Sequence, residues 1–188
     1  MLSKTLVVAT MCCWILSAGA GHSADAPDHG TDKTEAARPA DGAADMRYDV
    51  AVRVTEKGNR TLVADVRGHR IVIDQPREFG ADDKGPTPPE LLAVSFASCI
   101  ASTIQLLALR NGLEITDISV TVEGSIDFSK AMGISDEARA GFSGLTATVD
   151  FTSSLDAAAR RKLIGEVARI GAALDNIENA TPARYIVN

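Results

Sequence analysis

The sequence predicts an α+β domain, and three observations predict it. Period-two apolar alternation runs through Tyr48 to Asp74, a charge-free apolar segment follows at residues 91–109, and further strand patterns then lead into an amphipathic helix. In the first region Val50, Val52 and Val54 alternate with Ala51, Arg53 and Thr55, and Leu62 to Val66 and Arg70 to Asp74 continue the strand composition. Lys57-Gly58-Asn59 and Arg67-Gly68-His69 are short glycine-bearing connections, so the three segments should close as an antiparallel meander of hairpins. Gln75 to Pro86 is polar and glycine-rich and reads as a loop.

The next element is marked at its start. Thr87 can cap, Pro88 suits the first helical position, and Glu90 stands where a capping box needs an acid, so a helix is expected from Pro88 to about Asn111. Gly112 suits a left-handed stop. Because residues 91–109 carry no formal charge, this helix is apolar on every face and must be covered by protein or by lipid. Ser95, Ser98, Ser102, Thr103 and Gln105, with strand patterns on both sides, favour a central core helix over a membrane span. One small sheet covers only part of such a helix, so two copies are expected to pack their long helices together as a homodimer.

Beyond it, Glu114 to Phe128 and Leu145 to Thr152 read as strands joined by a polar loop through Gly133, Gly141 and Gly144. Leu155 to Leu174 reads as an amphipathic helix, with Leu155, Ala159, Leu163, Val167, Ile170 and Leu174 at helical spacing. Arg184 to Val187 reads as a last short strand.

Length and composition, 188 residues of which 45% are hydrophobic, fit one folded domain with extras. Lys4, the uncharged run Thr5 to Leu16 and the small-residue site Ala18-Gly19-Ala20 read as a cleavable signal peptide over residues 1–20, with Ala24 a weaker cleavage site, and imply export to a periplasm. Residues 21–45 read as a disordered acidic spacer rich in Ala, Asp and Pro, which leaves residues 46–188 as the domain. Of the net charge of −6, the leader holds +1 and the spacer −4, so the domain carries −3. Without a basic cluster, that charge excludes nucleic acid as a partner.

Cleavage would remove Cys12 and Cys13 and leave Cys99 as the one thiol. A single cysteine in an oxidising compartment cannot form an internal bridge, so it is a packing residue, a reactive group or an intermolecular link. Burial on an apolar helix raises a thiol's pKa, so reactivity demands a cation brought from elsewhere. His69 is the one histidine of the domain, which leaves no cysteine–histidine hydrolase pair and no metal-ligand spacing; no cofactor is expected.

The segments Asp74-Gln75-Pro76-Arg77-Glu78-Phe79-Gly80 and Gly85-Pro86-Thr87-Pro88-Pro89-Glu90-Leu91-Leu92, with Cys99 nine residues after Glu90, resemble the family of osmotically inducible protein C and the organic hydroperoxide resistance proteins. The resemblance spans roughly residues 48–188 and implies an OsmC-like fold: antiparallel sheets wrapped around long central helices in an intertwined homodimer. It also implies that Cys99 attacks a hydroperoxide, helped by an arginine of the first hairpin and a glutamate at the helix start. Arg60 heads the candidates for the arginine, beside Arg53 and Lys57. Glu90 is the acid at the helix start, although the organic hydroperoxide branch has its glutamate one position earlier, at Pro89, and nine residues at about 100° each turn Glu90 away from Cys99.

Where the family has a second, resolving cysteine, this chain has Asp175, in the run Asp175-Asn176-Ile177-Glu178-Asn179. The resemblance is therefore to an OsmC-like branch lacking that thiol. Three functions follow as expectations: a one-cysteine peroxidase that reduces organic hydroperoxides and is restored by an external thiol reductant, a dimer that holds a small apolar ligand without turnover, or a structural dimer.

Overall fold

Period-two alternation becomes strand pairing in the computed structural model, which describes residues 45–187. The predicted leader and all of the spacer except Asp45 lie outside the described residues. From Asp49 onward the described residues form one compact unit. Strands β1 (Arg53–Glu56), β2 (Leu62–Val66) and β3 (His69–Ile73) make an antiparallel sheet in that order. Arg53 faces Asp65 across the first pair, and Val66 faces His69 across the second. Between these last two, Arg67 and Gly68 hold φ of 54° and 83°, the left-handed pair that a two-residue hairpin turn requires. The first strand starts at Arg53 and not at Tyr48. Its partner β2 reverses direction just past Val66, so Val50 and Val52 project beyond the end of the ladder and are exposed.

Helix α1 (Pro88–Asn111) spans 24 residues, between a Thr87 cap and a Gly112 stop with φ of 63°. It is long and apolar enough to cross a membrane by length and composition, and 28% of its apolar window is buried inside this one chain. After it, β4 (Ile115–Ile126) and β5 (Phe142–Ser153) form a second antiparallel sheet in which Ile115 faces Ser153 and Ile126 faces Phe142. Register irregularities at Thr116–Ser119 and Gly124–Ile126 bend this ribbon. At the second, a Cβ on Gly124 would lie 2.7 Å from the Gly144 carbonyl oxygen, so the two strands approach closely there because a side chain is missing.

The helix expected over Leu155 to Leu174 is two helices. Asp156 caps α2 (Ala157–Ile170) by accepting from the Ala159 amide at 2.8 Å; the chain leaves helical geometry at Gly171, and α3 (Ala172–Glu178) follows. A Cβ at Gly171 would sit 3.0 Å from both the Leu174 side chain and the Val167 carbonyl, so glycine lets Leu174 fold back onto the core at the break. The predicted strand Arg184–Val187 does not form. Among the described residues no strand lies beside it, and Tyr185, Ile186 and Val187 are exposed.

Ile100, Ile104 and Leu107 of α1 meet Phe151 of β5, Leu163 and Val167 of α2, and Leu174 of α3 in the core. Full burial of each such side chain contributes about 1.5–3 kcal/mol. The periodic sequence placed this core correctly, because α1 packs on β4, α2 and α3. The β1–β3 sheet has no comparably extensive packing against a helix.

Candidate functional site

The loop before α1 is built from its first residue. Asp74 is fully buried, its Oδ2 accepts from the Lys84 amide at 2.9 Å, and its own amide donates to the Pro86 carbonyl at 3.2 Å. The Lys84 amide is the first cause that holds the Asp74 carboxyl below its ordinary value of 3.8, with the Gln75 and Asp82 amides acting alike and burial acting against them. Asn59 at the first hairpin tip donates to Asp82 at 2.7 Å, and Lys84 pairs with the same carboxylate, so hairpin and loop are tied together. Gly85 lies against β3 so closely that a Cβ there would overlap the Val72 carbonyl oxygen.

Glu90 completes the capping box. Its Oε2 accepts from the Thr87 amide at 2.7 Å and from the Thr87 hydroxyl at 2.9 Å, while the Glu90 amide donates to Thr87 Oγ1 at 3.3 Å. Such a cap contributes about 1 kcal/mol to the helix start. The carboxylate is engaged at the helix end, two and a half turns before the thiol.

Cys99 lies half-buried in the middle of α1, packed beside the core with Phe96. Its Sγ is 4.0 Å from the Thr103 hydroxyl, one turn on. Arg60 sits at the tip of the β1–β2 connection with φ of 66°, exposed, and Arg53 and Lys57 are exposed on the same hairpin. That hairpin belongs to the sheet that lacks extensive packing on α1. Asp175 stands in the first turn of α3: its amide donates to the Gly171 carbonyl at 2.9 Å and its Oδ1 accepts from Asn179 at 2.8 Å. It holds its own short helix.

An open groove of about 560 Å³ lies at the N-terminal end of α1, with Pro88, Leu92, Ile126, Phe142, Leu145 and Ile177 among its walls. Its volume falls within the roughly 300–1,000 Å³ of small-molecule sites. Sequence reasoning missed it because it joins α1, the end of the β4–β5 ribbon and α3, three segments far apart in the chain. Arg160, at the start of α2, is a structural residue that the apolar spacing of this helix does not single out. Its guanidinium donates to the carbonyls of Phe151 (2.9 Å), Leu155 (3.1 Å) and Ser153 (3.2 Å) and lies 4.6 Å from the Phe151 ring centroid, which locks the end of β5 to the start of α2. Among the described residues no group of three or more His, Cys, Asp or Glu side chains could hold a metal ion.

Comparison with known proteins agrees with this architecture. A structure of an OsmC-like protein from Mycoplasma pneumoniae superposes with a TM-score of 0.59 at 19% identity, over 72% of this chain and 90% of that one. An organic hydroperoxide resistance protein OsmC from Legionella pneumophila superposes with a TM-score of 0.51 at 20% identity, over 69% of this chain and 89% of that one. Both likenesses are of fold. In sequence, the uncharacterized protein YmaD of Bacillus subtilis (strain 168) is 29% identical over 77 residues, 40% of this chain and 51% of YmaD. The chain thus spans about half the length of this curated relative. The profile of OsmC-like proteins matches residues 81–185, which takes in the helix start, Cys99, the β4–β5 ribbon and both later helices. With more than half its length matched in this way and the fold in agreement, the chain belongs to the OsmC-like family.

Proposed function

We propose that this protein is an exported, homodimeric one-cysteine peroxidase that reduces organic hydroperoxides with an external thiol. The observation that carries the reading is Cys99, a free thiol half-buried at the middle of α1 in a chain of the OsmC-like family; by the resemblance, Asp175 takes the resolving thiol's place. The thiolate of Cys99 attacks one peroxide oxygen, the O–O bond breaks, and the alkoxide leaves with a proton as the alcohol. Cys99 is left as a sulfenic acid. One external thiol then forms a mixed disulfide and releases water; a second thiol displaces it, regenerating Cys99 and releasing the small disulfide.

The Legionella likeness favours a peroxide substrate. Exposed Val94, Leu106 and Leu109 on α1, on a helix buried over little more than a quarter of its apolar window, favour a second copy as cover. In that assembly the partner's first hairpin supplies the cation that the thiol needs, with Arg60 first, then Arg53 or Lys57. Lys4 and the apolar run to Leu16 support export to the periplasm. The groove beside α1 supports a second reading, a dimer that binds a small apolar ligand without turnover.

The test is consumption of cumene hydroperoxide by the purified chain with dithiothreitol as reductant. Consumption in wild type that is lost in Cys99→Ser supports peroxidase chemistry. Equal rates in the two proteins, or none in either, contradict it.

A further inference from the structure

The groove at the start of α1 has one formally charged side chain in its wall, that of Arg139, on the loop before β5. Every other wall residue is neutral, and most are apolar. Arg139 makes no salt bridge among the described residues, and it is exposed. Leu92, a large apolar side chain in the same wall, is left 47% exposed. A concave apolar surface with a single unneutralised guanidinium at one point is complementary to an apolar chain that ends in one negative charge. A planar guanidinium also holds a carboxylate through two parallel hydrogen bonds, which an alcohol or ester cannot match.

We infer that this groove binds a long-chain monocarboxylate, with its carboxylate on Arg139 and its chain along Leu92 and Ile177. Leu92 and Cys99 are seven residues apart, so they share a face of α1 about 10 Å from one another along the axis. Cys99 is not among the groove's wall residues, so the binding stands apart from the peroxidase reading.

The experiment is a calorimetric titration of the full chain with laurate, dodecanol and methyl laurate, each below its aggregation limit. Wild type should bind laurate roughly ten- to a hundredfold more tightly than the two neutral ligands, the range expected of a charge-assisted hydrogen-bonded pair. Arg139→Gln, a change on an exposed loop, should abolish that preference, whereas Leu92→Asp should weaken all three. Cys99→Ser should bind laurate as wild type does, so loss of turnover and loss of binding are read separately. Equal affinity for the three ligands, a laurate preference that survives Arg139→Gln, or no binding at all because a second copy fills the groove would overturn the inference.

Discussion

Cys99 is the one thiol outside residues 1–20, and it lies half-buried in the middle of α1. The groups that surround such a half-buried helix position come from segments distant in the chain. Glu90 was legible as a cap, and its two hydrogen bonds to Thr87 occupy the carboxylate there. The cation is the open position. Arg60 holds a left-handed φ of 66°, a conformation that asparagine tolerates better than most residues, so Arg60→Asn preserves the turn while removing the charge. If Arg60 faces the partner's thiol, kcat/KM for a hydroperoxide should fall about 10²-fold in this variant. Unchanged steady-state kinetics would transfer the role to Arg53 or Lys57.

At the level of elements, α1 was legible almost to the residue, because capping chemistry and a terminal glycine mark both ends. The second long helix was not: apolar spacing continues through Leu174, and periodicity alone carries no sign that Gly171 lets the chain break and repack. Strands at the two ends of the domain were over-read, since Val50, Val52 and the Arg184–Val187 segment have no neighbouring strand among the described residues and stay exposed, and apolar composition alone does not supply one. The loop between β3 and α1 offers two tests. Gly85→Ala places a methyl group on the Val72 carbonyl, and unfolding by urea should show a loss of about 1–3 kcal/mol, as for other overpacked sites. Asp74 has a folded pKa below its ordinary 3.8, so its contribution is complete above that value and disappears as pH falls through the lower folded one. Asp74→Asn should therefore be less stable than wild type near neutrality and show a shallower loss in that acid window, measured by denaturant titration from pH 6 downward; parallel profiles would contradict this role.

For the whole molecule, the fold class and the family were readable from the order of elements and the segments around Gly85 to Cys99, and the matched profile agrees. Assembly is a prediction at this scale. On the proposed homodimer, a second copy covers the exposed apolar surface of α1, and light scattering should give twice the chain mass. Leu109→Glu, on a side chain left 83% exposed in the single chain, should shift the mass toward the monomer, whereas a monomeric wild type would contradict the dimer. The central claim is that Cys99 is an oxygen acceptor that relies on outside thiols. Its most direct test is intact-mass and peptide mass spectrometry after one equivalent of cumene hydroperoxide with no reductant present. The result expected is one alcohol formed per Cys99 with a single oxygen added to that thiol, which dimedone traps in one portion of the sample and dithiothreitol reduces back to the thiol in another. A thiol that stays unmodified while the hydroperoxide persists would contradict the account.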